Sequence, residues 1–322
     1  MSFLDRLKPR SKRIPPLHVK IDRNFGDPEA VAVTAAMATG DWPAVRRILG
    51  GEHQQDDFDF LIGEAAQVAE SEEWLPDRIR DGDALASLLF GIRLVNWAWE
   101  ARSATLAKYV TADRWALFHE RLQQAEEVLQ DVVRHDPDNV TAWSQLIIAA
   151  RGLSKSLAEQ RERFDRAVAT DPYNYYAHLQ FLQGACAKWQ GSHEIMHDFA
   201  STAAAKAPEG SRLGVLVALA HWEHWLSESI QGNHGYFRST AVSRGLIDAA
   251  DRSVLHPAYQ RRRNWPADNN PFAGAFALTG QRARARQQFA ILDGHGSEFP
   301  WGWLEDDATA GYMQMYYRAH AS

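Results

Sequence analysis

The pattern with the clearest chemical meaning is HEIMH at residues 193–197. Two histidines one helical turn apart can bind zinc, and the glutamate beside the first can act as a general base. Ser192 precedes the pattern and is a good helix cap, whereas Asp198 puts a charge directly after the second histidine. No Gly-x-x-His extension follows. We therefore interpret residues 193–197 first as the opening turn of a packing helix.

A metal site would need a third ligand from the next helix. Glu223, His221 and His224 are the candidates, because they belong to one segment that a helical stack could bring close. The alternative function is thus an enzyme or metal-binding protein with a histidine-centred site between residues 177 and 225, where His193, His197 and Glu223 would hold zinc. Histidines are dense here, so a proton-sensitive surface is a second possibility. No catalytic residue is assigned, and no motif requires a cofactor.

The remaining reactive side chains point to structure rather than chemistry. Cys186 is the single cysteine, which excludes an intramolecular disulfide and a zinc site built on several thiolates. Its alanine neighbours predict a small core residue. Residues 261–263 are three arginines followed by Trp265, a set that could clamp a phosphate or carboxylate but is first interpreted as a solvated loop.

A repeat determines how these residues are positioned. Residues 136–139 have the sequence DPDN, and residues 171–174 have the sequence DPYN, 35 positions later. Ala142 and Ala177 follow at the same offset, and an apolar helical stripe precedes each copy. A repeat of this length is typical of stacked helical hairpins.

Helical spacing continues along most of the chain. The best repeats span residues 113–208 and 270–293, and a further hairpin turns at Gly40. Residues 231–271 are rich in glycine, proline and asparagine and are predicted to be a loop. Residues 299–318 carry Trp301, Trp303 and Tyr312 and predict an aromatic C-terminal cap over the last hairpin.

The run from Asp136 to Trp143, with Phe164, Ala167 and Pro172 downstream, resembles the tetratricopeptide repeat. The resemblance covers residues 128–206 and the hairpin at 272–292. It implies a helical solenoid that binds peptides. The departures from the repeat are His178 in place of the first copy's Trp143, Gln160 where a small residue is usual, and Ile147 in another small position.

A second resemblance lies further along. Residues 188–194 (KWQGSHE), with residues 207–211 (APEGS), look like an uncharacterised family of bacterial, often actinobacterial, repeat proteins. That resemblance implies no known activity.

Composition limits the partners. The net charge of −6 argues against general nucleic-acid binding. No apolar run is long enough to span a membrane, and residues 1–13 lack the core of a signal peptide, so we expect a cytoplasmic protein. Residues 1–27 are predicted to be a basic arm, either solvated or touching an anionic membrane surface.

We therefore predict an all-α fold, a right-handed superhelix of five to six antiparallel helix pairs, with residues 28–322 as one helical-repeat domain. The leading functional hypothesis is a protein-interaction or scaffolding module that binds an unknown protein or peptide in a concave groove. The first helix of each pair would line this groove, with contacts from these residues: Trp143, Tyr176, His178, Trp222 and Trp225.

Overall fold

The computed structural model of the chain describes residues 17–102, 109–233 and 235–321. Over these residues the protein is all-α, with two strands of two residues each as its only β-structure. The helices are α1 (Pro28–Ala38), α2 (Trp42–Leu49), α3 (Gln55–Ala65), α4 (Ser71–Arg80), α5 (Ala84–Arg102), α6 (Ala112–His135), α7 (Val140–Gly152), α8 (Leu157–Thr170), α9 (Tyr175–Gly184), α10 (His193–Lys206), α11 (Val215–Ile230), α12 (Thr240–Arg252), α13 (Trp265–Leu278), α14 (Arg282–Leu292), α15 (Glu298–Trp301) and α16 (Ala308–His320). The strands are β1 (Lys20–Ile21) and β2 (His295–Gly296).

The 35-residue repeat corresponds to two equivalent helix starts. Asn139 caps α7 and Asn174 caps α9, and each side chain accepts a hydrogen bond from the backbone N–H of the alanine three residues on. The capped N–H groups have no partner within the helix, so the repeated asparagine fixes where each helix begins.

Consecutive helices pack as hairpins. Such pairs in the described residues include α1 with α2, α5 with α6, α7 with α8, α9 with α10, α11 with α12, and α13 with α14. Gly40 and Gly280 make the turns of the first and last of these, with φ of +68° and +77°. Only glycine adopts such angles at no steric cost, which explains its place at both turns.

Pairs are joined into a stack through their first helices. α5 packs on α7, α7 on α9, α9 on α11, and α11 on α13. This arrangement is compatible with a helical-repeat solenoid.

The stack is closed by contacts between its two ends, which we call the seam. β1 pairs in parallel with β2. Arg263 donates to Asp27 at 2.9 Å and also contacts Glu29. Arg212 donates to Asp56 at 3.1 Å. Residues 17–27, predicted as part of a basic arm, therefore belong to the folded body, while residues 1–16 lie outside the described residues.

The predicted loop at residues 231–271 is wrong. Helix α12 occupies its centre, and α13 begins at Trp265. Val242, Leu246 and Ala250 form a buried helical stripe in α12 that the nearby glycines obscured. Pro266 lies in the first turn of α13, where its missing N–H costs little.

At the carboxyl end, aromatic side chains from residues 299–318 cover the last hairpin. The ring of Phe289 on α14 lies against Trp301, Tyr312 and Tyr316. Trp301 and Tyr312 are fully buried. In the described part of the chain no helix has the length and apolar character needed to cross a membrane.

Candidate functional site

One stripe of α7 defines the surface that we call the inner face. Thr141, Gln145, Ile148 and Arg151 follow one another at steps of three or four residues, so they share one side of the helix. Together with the adjoining sides of α5 and α9, this stripe forms the inner face. Its amino-terminal end is covered and its carboxyl-terminal end is open.

Helix α3 covers the amino-terminal end of the inner face. Asp59 of α3 is buried and accepts hydrogen bonds from Thr141 Oγ1 at 2.6 Å, Gln55 Nε2 at 2.9 Å and Asn174 Nδ2 at 3.1 Å. Burial raises the pKa of Asp59 to about 6, although these three donors act to lower it. Since Thr141 and Asn174 stand at the starts of α7 and α9, the carboxylate lies where helix dipoles also favour negative charge.

The carboxyl-terminal end of the inner face opens into a cavity of about 560 Å³, which we call the inner cavity. Helices α5, α7 and α9 and the segment after α9 contribute its walls. Its lining residues are Gln67, Val95, Asn96, Trp99, Glu100, Ile148, Arg151, Gln183, Lys188 and Trp189. The volume is within the range of ordinary ligand pockets.

Arg151 is the buried charged residue that lines this cavity. It is 8% exposed, and its Nη1 donates to the backbone carbonyl of Gln180 at 2.9 Å. Its Nε has no hydrogen-bond partner, and within the described residues it forms no ion pair with a carboxylate. Burial lowers the pKa of Arg151 to about 10. The side chain nevertheless stays charged at neutral pH.

Two tryptophans flank Arg151. The rings of Trp99 and Trp189 meet edge to face with centroids 5.8 Å apart, and the guanidinium carbon lies 5.9 Å and 5.8 Å from them. Trp99 Nε1 is buried without a partner. The wall therefore combines the apolar surface of two tryptophans with a guanidinium, while Trp99 Nε1 and Arg151 Nε are themselves closed off from solvent.

The carboxylates near the cavity already have partners. Glu100 accepts a bidentate pair from Arg93, with its closest contact at 2.6 Å. Glu223 accepts from Lys188 Nζ at 2.8 Å and from Gln183 Nε2 at 2.9 Å. Neither is paired with Arg151.

The five predicted groove residues do not share one surface. Trp143 is half-buried and donates to the carbonyl of Pro137 at 2.8 Å, and Tyr176 accepts from Gln145 Nε2 at 3.3 Å beside the covered end. Trp222 is fully buried, and its Nε1 donates to the Pro271 carbonyl at 2.9 Å, so the prediction that it lines a groove is wrong.

The other two predicted residues lie elsewhere. His178 is buried between Phe164 and Phe199 and lines a separate cavity formed with α8 and α10. Trp225 is half-buried and packs edge-on against Trp222. Their helical spacing reflected packing against neighbouring helices rather than exposure to a groove.

The HEIMH segment opens α10, as its position after Ser192 predicted. Ser192 Oγ accepts from Ile195 N at 3.1 Å and caps the helix. The His193 ring stacks on His224 with centroids 3.8 Å apart, and His197 Nε2 shares a hydrogen bond of 3.0 Å with His224 Nδ1. Four histidines from α10 and α11 thus meet, since His221 is also near His197.

Two nitrogens of this cluster share a hydrogen bond with each other, whereas His193 Nδ1 is buried without a hydrogen-bond partner. His221 Nδ1 shares a hydrogen bond of 2.7 Å with the hydroxyl of Tyr236. Burial lowers the pKa of His197 to about 4 and of His221 to about 3, with the neighbouring histidines adding to the effect, so both rings are neutral at pH 7. Over the described residues, no group of three or more His, Cys, Asp or Glu side chains has the arrangement to hold a metal ion.

Glu223, proposed as the third zinc ligand, is held by Lys188 and Gln183. Cys186 is buried and lies 3.4 Å from the sulfur of Met196, and burial raises the pKa of its thiol to about 12. The thiol is therefore a packing group.

Sequence reasoning missed the residues of the inner cavity, namely Trp99, Arg151, Lys188 and Trp189. One signal was available: Arg151 is the only charged residue in α7 (Val140–Gly152). A single charge at the end of a helix that is otherwise buried indicates a special environment.

Three comparisons, with protein-family models, with curated proteins and with solved structures, found no match to this chain.

Proposed function

We propose that this chain is a protein-interaction module that binds a segment of a partner protein at the open end of its inner face. The observation that carries the proposal is the inner cavity of about 560 Å³, whose wall holds two tryptophans and an arginine that lacks a carboxylate partner. Tryptophan and arginine are the residues most enriched among those that dominate binding energy at interfaces.

The covered end of the inner face limits the surface on which a partner can bind. Because α3 lies over the starts of α7 and α9, Tyr176 beside this covered end is not part of a continuous open groove. The contact surface is instead a short patch at the ends of α5, α7 and α9. A patch of this size accommodates a few residues of a peptide rather than a long helix.

Affinity capture from cells that produce the protein, followed by mass spectrometry, tests the proposal. We expect Trp189→Ala to reduce capture of the specific partner at least tenfold, since truncation of a central aromatic residue costs about 2 kcal/mol or more. Trp303→Ala is the matched control, because Trp303 is a half-buried tryptophan packed on Phe299 away from the cavity.

Equal capture by the wild type and Trp189→Ala would contradict the proposal, provided that both melt cooperatively. Loss of capture in both tryptophan variants would indicate general damage to the fold rather than a site.

A further inference from the structure

Three arginines are buried in the described part of the chain, and they differ in their partners. Arg93 is paired with Glu72 and Glu100, at 2.7 Å and 2.6 Å. Arg212 is paired with Asp268 and Asp56, at 2.8 Å and 3.1 Å. Arg151 is as deeply buried as Arg212 and has only the carbonyl and amide oxygens of Gln180 as acceptors.

A buried guanidinium without a counter-charge is unfavourable, because the desolvation cost is not offset by an ion pair. The second acceptor on Gln180 is its neutral side-chain amide oxygen. This oxygen lies 3.3 Å from Nη2 and 3.4 Å from Nη1 of Arg151. No carboxylate nearby is spare, since Glu100 and Glu223 are already paired. Among the described residues, no carboxylate is therefore left to serve as the counter-charge of Arg151.

We propose that Arg151 binds a carboxylate of the partner segment, which makes the ligand an acidic peptide. This inference rests on the proposed function of the inner cavity. A carboxylate has two acceptor oxygens that match the fork of a guanidinium, whereas a backbone carbonyl offers one. Trp99 and Trp189 then cover the apolar part of the same peptide.

The carboxylate can have two sources, an aspartate or glutamate side chain or the C-terminus of the peptide. A mixture of N-acetylated hexapeptides of random sequence, made once as C-terminal acids and once as C-terminal amides, separates them. The full-length protein is used to select bound peptides, which are then identified by mass spectrometry. Enrichment of aspartate or glutamate among the amides assigns a side chain, and binding of acids alone assigns the C-terminus.

We expect the wild type to prefer acidic over neutral peptides by about tenfold or more, the effect of one charged hydrogen-bonded contact. Arg151→Gln should abolish this preference, and Arg151→Lys should retain part of it because the charge remains without the fork. Arg166→Gln is the control, since Arg166 is an exposed arginine on α8. Arg151→Met removes the same charge if the glutamine variant does not fold.

The outcomes separate the two proposals. Peptides that bind the wild type without acidic preference, or an acidic preference that survives in Arg151→Gln and Arg151→Met, would overturn the role of Arg151 and leave the inner cavity as a binding site. If no peptide in either mixture binds, peptide recognition by the inner cavity fails, and the carboxylate contact fails with it.

Discussion

The two ends of the inner face bury charge in opposite ways. At the covered end Asp59 has three donors, and beside it Arg212 has two carboxylates. At the open end Arg151 has one short hydrogen bond, to a neutral carbonyl. The covered end uses its charges to hold parts of the chain together. The open end keeps a charge whose hydrogen bonds go only to neutral oxygens of Gln180, which agrees with the proposed binding of a carboxylate there.

The largest effect should come from Arg212→Met. Among the described residues, this change leaves the fully buried Asp268 with the hydroxyl of Tyr259 as its one side-chain donor, at 2.7 Å. Breaking one partner of a buried ion pair costs about 3–5 kcal/mol. Urea denaturation should show this loss. A cost below about 1 kcal/mol would mean that Arg212 contributes no more to stability than a surface charge.

The pH dependence of the free energy of unfolding tests how far the hydrogen bonds to Asp59 offset the burial of its carboxylate. The pKa of Asp59 is raised from 3.8 to about 6 in the folded state, so its favourable contribution is present below pH 3.8 and is lost as the pH rises through 6. The shift corresponds to about 3 kcal/mol. We therefore expect the free energy of unfolding of Asp59→Asn, relative to the wild type, to rise between pH 4 and pH 7.

Urea denaturation of both proteins at several pH values measures this difference. An Asp59→Asn variant whose relative stability is flat across that range would show that the three donors fully offset the burial of the carboxylate.

Arg151→Met should have a smaller effect of opposite sign to Arg212→Met. The variant removes a buried charge that has no carboxylate partner and keeps the apolar volume of the side chain, so we expect the free energy of unfolding to rise by about 1–2 kcal/mol. The same urea measurement checks it. If Arg151→Met and Arg212→Met destabilise equally, the distinction between the two ends of the inner face disappears.

The smallest effect on stability should come from Trp189→Ala. Trp189 is half-buried in the wall of the inner cavity, and its ring meets Trp99 edge to face with centroids 5.8 Å apart. We expect the free energy of unfolding to fall by about 1 kcal/mol or less, well below the 3–5 kcal/mol of a core tryptophan. A loss above 3 kcal/mol would identify Trp189 as part of the core.

The local features of the fold were predictable from the sequence. Asn139 and Asn174 mark helix starts because a cap acts within three residues, and Gly40 marks a turn because only its own φ matters. The opening of a helix after Ser192 followed from the same local rule. Helix α12 was missed because the nearby glycines favoured a loop, although the segment also carries a buried helical stripe.

The site was less predictable, because it depends on contacts between distant parts of the chain. Asp56 and Arg212 are 156 residues apart, and no periodic pattern links them. Without that link α3 cannot be placed over the inner face, so Tyr176 looked open. The position of Trp222 along its helix is equally compatible with a groove and with the core. The helices packed around it make it a core residue.

The seam has a consequence for the number of hairpins that the fold can contain. In an open stack of repeats, a hairpin can be gained or lost with disturbance only to its neighbours. Here β1 must meet β2 and Asp27 must meet Arg263, and the hairpins between them set that distance. Duplication or deletion of a 35-residue unit would separate these pairs. The number of repeats is therefore fixed, and the protein is a closed body of defined size rather than an extendable stack.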